Sequence, residues 1–226
     1  MQDQRAEVEW RDGSVPVSTR FDDPYFSLDN GLDETRHTFL TGNDLPARFC
    51  DGFHIAELGF GTGLNALATL QAWIGAGAPG RMRFTSFEGF PMTAADMAQA
   101  LAAFPELGDL ARPLLHAWAT GVQEIDMGHG MTLHLIIGDA RQTVPAWRCR
   151  ADAWFLDGFS PAKNPELWGA DLMQAVADHC TPRATAATYT AAGHVRRALT
   201  EAGFDVTRRA GYGRKRHMTV ARMPAP

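Results

Sequence analysis

The chain has 226 residues, enough for one or two average domains, and it reads as a single unit. Hydrophobic residues make up 45% and Asp, Glu, Lys and Arg 21%, which is a globular composition and excludes a disordered or fibrous chain. Its net charge of −5 argues against an indiscriminate nucleic-acid binder. Its three cysteines, Cys50, Cys149 and Cys180, are scattered with no CxxC, which excludes a disulfide framework and a thiolate zinc site. The opening MQDQRAEVEW is too polar for a secretory signal, and no apolar run approaches the ~20 residues that span a bilayer. A cytoplasmic protein with no membrane partner is expected.

The first forty-odd residues read as an irregular extension, and residues 1–50 are taken as a segment packed on a core formed by 51–226. His54–Phe60 is a short apolar run ending in glycines, a buried strand. Leu64 to about Ile74 has helical composition and spacing. Met82–Phe87 is the next strand, and Met92–Phe104 a helix with Thr93 as N-cap. Residues 105–120 are helical, and Val122–Ile125 with Met131–Ile137 form a hairpin around MGHG. Ala153–Leu156 is a buried strand, and Pro165–Cys180 a helix opened by proline. Strand Thr185–Thr190, helix His194–Ala202 and strands near Asp205–Arg209 and Met218–Arg222 complete the chain. Strands alternating with helices predict an α/β fold with a mostly parallel sheet covered on both faces. The closing strand pair predicts an antiparallel hairpin at one edge, a habit of Rossmann-like class I methyltransferases by analogy.

Glu57-Leu-Gly-Phe-Gly-Thr-Gly-Leu-Asn65 lies where a strand turns into a helix, the place where open α/β sheets bind ligands. Gly59, Gly61 and Gly63 let the backbone turn tightly and approach a ligand. A purely structural turn and a nicotinamide site compete with this reading. Against the latter, Leu64 replaces the Gly or Ala of the dinucleotide fingerprint, and Glu88 follows Gly59 by 29 residues where about 20 are expected. Glu57 can receive an ammonium. Glu88, at the next strand end, can accept both hydroxyls of a ribose, and Asp139 can meet an adenine amino group. Each acid alone is more often a cap or a surface residue. Together, with Asn65, they fit S-adenosyl-L-methionine.

The segment Asp157-Gly-Phe-Ser-Pro-Ala-Lys-Asn-Pro-Glu-Leu-Trp168 follows a strand and carries an acid and an aromatic. Its place resembles the [D/N]-P-P-[Y/F/W] loop of amino-group methyltransferases; an Asx turn without chemistry is the alternative. Methylating an amine needs its lone pair, and presenting a lysine-like amine neutral at pH 7 costs up to about 4–5 kcal/mol. Asp157 is read as the catalytic residue, one that orients the amine and stabilises its growing positive charge rather than a strong base.

Eight blocks resemble the tRNA 5-methylaminomethyl-2-thiouridine methyltransferases: FDDPYFS (21–27), ETRHTFLTGN (34–43), ELGFGTGLN (57–65), FEGFP (87–91), GDAR (138–141), LDGFSPAKNPELW (156–168), TYTAAGHVRRAL (188–199) and GYGRKRHM (211–218). His37 stands where that family's pattern has a tyrosine. The resemblance implies N-methylation of the aminomethyl group of 5-aminomethyl-(2-thio)uridine at the wobble position. It implies cofactor contacts at Glu57, Gly59, Gly61, Gly63, Glu88 and Asp139, Asp157 facing the amine, and Phe159, Lys163 and Asn164 as pocket wall. It also implies the anticodon stem-loop of tRNA as partner, gripped at its phosphates by Arg196, Arg197, Arg208, Arg209, Arg214, Lys215 and Arg216. A separate enzyme would supply the aminomethyl intermediate. The chain stops at MPAP, where fused family members continue into a flavin-dependent domain, so neither flavin nor metal is expected. The rivals are an aminopropyltransferase, a methyltransferase for a small-molecule or protein amine, and a catalytically silent binding module.

Overall fold

A computed structural model describes residues 5–27 and 30–225. The first four residues of the opening segment and the final proline of MPAP lie outside the described residues. The core is an eight-stranded sheet. Its central parallel strands are β4 (Phe53–Leu58), β5 (Met82–Glu88), β7 (Met131–Ile137), β8 (Ala151–Leu156) and β9 (Cys180–Thr188). One edge carries β6 (Glu124–Asp126) antiparallel to β7, and the other carries β10 (Asp205–Ala210) and β11 (His217–Arg222), with β11 antiparallel to β9. The order across the sheet is β10-β11-β9-β8-β4-β5-β7-β6. From β4 the chain builds outward through β5 and β7, then crosses to β8 on the other side. The crevice above the carboxyl ends of β4 and β8 is therefore the topological switch point where such sheets bind ligands.

Alternation along the strands splits the core into two layers. Ile55, Phe84 and Phe155 face α2 (Leu64–Gly75) and α4 (Gly108–Thr120). Ala56, Phe87, Trp154 and Leu156 face α5 (Ala140–Ala146), α6 (Ala170–Asp178) and α7 (Gly193–Glu201). Burial on both faces explains why these strands read as continuous apolar runs. Helix α3 (Ala94–Leu101) starts as expected at Thr93, whose side chain accepts the Asp96 N–H.

The structure departs from the sequence reading in several elements. The extension is not irregular: β1 (Val8–Arg11), β2 (Val15–Ser18) and β3 (Asp23–Pro24) form a small antiparallel sheet. They are followed by α1 (Gly31–Thr35), a π-helical turn Arg36–Leu40 and a 3-10 turn Thr41–Asn43. These turns bury Leu32, Phe39 and Leu40 in the first core layer, too few residues to show a period. Helix α5, unpredicted, is started by Asp139, which accepts the Arg141 N–H. The helix expected over Pro165–Cys180 is divided. A 3-10 turn Pro165–Trp168 is pinned by the buried Trp168 indole donating to the Phe159 carbonyl at 2.9 Å, and extended Gly169 then caps α6. Strand β9 begins at Cys180, and Tyr189 leaves it toward the crevice, its hydroxyl donating to the Gly158 carbonyl at 2.8 Å.

Candidate active site

A cavity of about 810 Å³ opens over the carboxyl ends of β4, β5 and β8. Strand β4 stops at Leu58 because Gly59, Gly61 and Gly63 all take positive φ (+81°, +55° and +79°), and α2 begins immediately after. At Gly59 a Cβ would lie 3.2 Å from the Asp157 carbonyl oxygen and from the Gly158 Cα, both backbone atoms unable to give way. At Gly61 a Cβ would come within 3.3 Å of the Tyr25 ring, so the cavity keeps its width only with glycine there.

The three strand-end acids do not play equal parts. Glu88 is 7% exposed and lines the cavity; its two oxygens accept the N–H groups of Gly61 (2.9 Å) and Phe90 (2.6 Å). Burial raises its pKa, and these N–H groups oppose the rise. Asp139 lines the rim, and its carboxylate is held by Arg141 through the backbone N–H and the guanidinium, which lowers its pKa. Glu57 stands one layer behind the lining. It is wholly buried, accepting the Asn65 amide at 2.8 Å and the Ser86 hydroxyl at 2.6 Å. Desolvation, and secondarily its neighbour Asp157, push its pKa well above the usual carboxylate range. Glu57 thus meets the cavity lining through Asn65, which lies between them.

Asp157 ends β8 and faces the cavity. Its Oδ1 accepts the Gly158 N–H and its Oδ2 the Asn65 amide, each at 2.8 Å. Burial pushes its pKa up to about 6, against the pull of those two donors and of Lys215. The neighbouring Gly158 carbonyl accepts the Tyr189 hydroxyl and keeps a second lone pair.

Phe159 stacks on Phe21 at 4.7 Å and meets Tyr25 edge-on at 5.0 Å, while Phe21 meets Phe90 at 5.7 Å. Such pairs contribute about 0.5–1.5 kcal/mol each beyond their buried area. They make an apolar wall in the cavity that Asp157 also lines. The extension thus supplies half of the wall, and it is tied on by Asp23 accepting the Ser160 N–H at 2.7 Å and by Lys163 on Asp22. Lys163 is accordingly a fastener of this wall. Asn164 lines the cavity and precedes the 3-10 turn.

Of the C-terminal basic residues, Arg214 lies on the rim and Arg216 is exposed outside it, and neither has an ion pair among the described residues. Lys215 is held by side chains of other segments. Its Nζ turns inward, 2.5 Å from Glu34 and 4.3 Å from the centre of the Tyr189 ring. Arg209 is drawn to Asp44 at 3.6 Å, while Arg196, Arg197 and Arg208 have no ion pair among the described residues. His37 bonds the Ala210 carbonyl at 2.9 Å and lies 6.0 Å from Tyr212, bracing this hairpin. Phe21, Tyr25, Glu34, Phe90, Tyr189 and Tyr212 also line the cavity. All but Phe90 fall in sequence blocks 21–27, 34–43, 188–199 and 211–218, whose signal was legible as pattern but gave no role to any single residue.

The residues present fit S-adenosyl-L-methionine. Glu88 is a buried acceptor that lines the cavity with one N–H bond to each carboxylate oxygen, and a carboxylate's further lone pairs suit hydroxyl donors such as a ribose diol. The glycine turn adds backbone free of Cβ atoms beside the cavity, its glycine N–H groups being held by Phe87, Glu88 and Phe60. No group of three or more His, Cys, Asp or Glu among the described residues is arranged to hold a metal ion. No helix among them is long and apolar enough to cross a membrane.

This parallel sheet with its reversed hairpin edge and switch-point crevice is that of class I methyltransferases. The crystal structure of MnmC2 from Aquifex aeolicus superposes on the entire chain and 72% of its own with a TM-score of 0.78 at 28% identity. The family model for S-adenosyl-L-methionine-dependent methyltransferases matches residues 105–224, more than half the chain, and the protein belongs to that family. The chain is 47% identical over 227 residues to the tRNA 5-methylaminomethyl-2-thiouridine biosynthesis bifunctional protein MnmC of Caulobacter sp. strain K31, and 44% identical over 233 residues to that of Pseudomonas aeruginosa PAO1. These matches cover 95% and 99% of this chain but only 38% and 36% of the relatives' length.

Proposed function

We propose that this chain N-methylates the aminomethyl group of 5-aminomethyl-(2-thio)uridine at the wobble position of tRNA. The observation that carries the reading is Asp157 lining one cavity with Glu88, the glycine turn and the Phe159–Phe21–Tyr25 cluster. The likeness to the MnmC proteins supports the choice of acceptor. Glu88 and the glycine turn would hold the donor, which when bound supplies a methyl carried on a sulfonium.

The cluster of Phe159, Phe21 and Tyr25 would be the wall against which the pyrimidine of a base splayed out of its stack packs, leaving its side arm toward Asp157. The amine nitrogen would use its lone pair to form the new N–C bond as the donor's S–CH3 bond breaks, its electron pair staying on sulfur as a neutral thioether, and the nitrogen would be left with positive charge and a surplus proton. Asp157, ionised above about pH 6, faces that charge and takes the proton, which then passes to solvent. The aromatic wall excludes water, so the carboxylate acts where its field is least screened. Arg214, Arg216 and the arginines of β10 and α7 would hold the anticodon-stem phosphates. A cytoplasmic setting and an enzyme that supplies the free aminomethyl group follow from this acceptor.

The test incubates the protein and labelled S-adenosyl-L-methionine with tRNA from a strain lacking the modification, with polyamines as control, followed by nucleoside analysis. Label in 5-methylaminomethyl-(2-thio)uridine is the expected result. Label in polyamine alone, or none in tRNA, overturns the reading.

A further inference from the structure

We propose that Asn65 is a positioning residue for the methyl transfer: its amide, oriented by the Thr35 hydroxyl, holds Asp157 and the buried Glu57 at once and so aims the Asp157 carboxylate. The sequence reading gave Asn65 to the cofactor. The structure shows a different commitment. The Asn65 amide nitrogen donates to Glu57 Oε1 and to Asp157 Oδ2, both at 2.8 Å, which uses both of its hydrogens. Its Oδ1 accepts the Thr35 hydroxyl at 2.9 Å, so the amide cannot turn over without setting oxygen against a carboxylate. Asn65 is 5% exposed and Thr35 also 5%, so water does not substitute readily for either bond.

The geometry ties three remote segments together: α1 from the extension, the first turn of α2 and the end of β8. Among the described residues Asp157 Oδ2 accepts the Asn65 amide and Oδ1 the Gly158 N–H. The charged and titratable groups around Asp157 are Glu57 from β4, Glu34 from α1, Lys215 from the β10–β11 turn and Tyr189 beyond β9. Lys215 favours the ionised carboxylate and Glu34 opposes it. The Asn65 donor adds to the Lys215 side, and its loss leaves Asp157 facing two acids with one donor fewer.

The proposal rests on Asp157 facing the methyl acceptor, but its test does not need the acceptor. In protein with carboxyl-13C aspartate, the Asp157 resonance, assigned with Asp157→Asn, titrates in the parent at about 6. In Asn65→Ala the midpoint rises by about one pH unit, as loss of a hydrogen bond to a charged group requires. Thr35→Val moves it the same way by less, and Thr35→Ser restores it. Affinity for S-adenosyl-L-homocysteine in Asn65→Ala stays within about threefold, while kcat falls tenfold or more and the acid limb of the rate profile shifts with the carboxyl. An unmoved Asp157 midpoint in both Asn65→Ala and Thr35→Val overturns the proposal, as does a loss of homocysteine-product affinity as large as the loss of rate. Should Asn65→Ala not fold, the Thr35 pair decides alone. If tRNA is not the acceptor, the carboxyl titration still reads the amide's role.

Discussion

Two buried polar networks sit at opposite ends of the same sheet. At the amino ends, Arg48 donates to the carbonyls of Asn43 and Asp152 and to Thr185, Asn43 accepts the Thr185 hydroxyl, and Asp152 accepts the His54 N–H and the Thr181 hydroxyl. At the carboxyl ends, Thr35, Asn65, Glu57, Ser86 and Asp157 form a network just as dense. The first network satisfies a cation with backbone carbonyls and a hydroxyl, and an acid with an N–H and a hydroxyl. The second gathers two carboxylates with raised pKa values and turns one of them into a cavity. Burial of polar groups marks both networks. Only the uncompensated charge, exposed to a ligand-sized space, marks the site.

The sharpest way to break the comparison is Asp157→Ala. Methyl transfer should fall by about 10²–10⁴-fold with the fold intact, measured as single-turnover rate beside thermal unfolding. The corresponding change at the other end, Asn43→Ala, removes a wholly buried side chain that bonds Phe39 and Thr185. It should cost about 2–4 kcal/mol in urea unfolding and leave the rate per folded molecule unchanged. The smallest effect, and the one that sharpens the contrast, is in the pH dependence of stability. Asp157 ionises at about 6 in the fold against 3.8 in the open chain, so between those values the folded state holds more protons and stability declines as pH rises. His54, buried and held down to about 4 from 6.5, has the opposite sign: its contribution is complete above 6.5 and is lost as pH falls toward 4. Asp157→Asn should accordingly be more stable than the parent at pH 7 by about 1 kcal/mol, an advantage gone by pH 4. His54→Gln should lose less than the parent over the interval from pH 6.5 to 4. Equal pH profiles for all three proteins would erase the distinction between the two ends.

Much of the fold was legible because parallel strands buried on both faces are continuous apolar runs, and glycines at positive φ stop β4 where the ligand crevice begins. Thr93 was readable as a cap for the same local reason. Helix α5 was not, because a seven-residue helix containing Pro145 has neither the length nor the period to stand out. The break at Gly169 was hidden because it depends on Trp168 reaching a carbonyl nine residues back. Within the site, Asp157, Phe159 and Glu88 could be picked from their places at strand ends. The inward turn of Lys215 could not, since it depends on Glu34, 181 residues away.

The amino-acid order alone determined the alternating α/β architecture, the glycine turn and the acids at the strand ends, since each is set by neighbours along the chain. Tertiary structure alone decided which acid faces the cavity, which lies behind it, and that the N-terminal segment completes the aromatic wall. Those outcomes depend on desolvation and on hydrogen bonds between remote segments, and neither exists until the chain has folded.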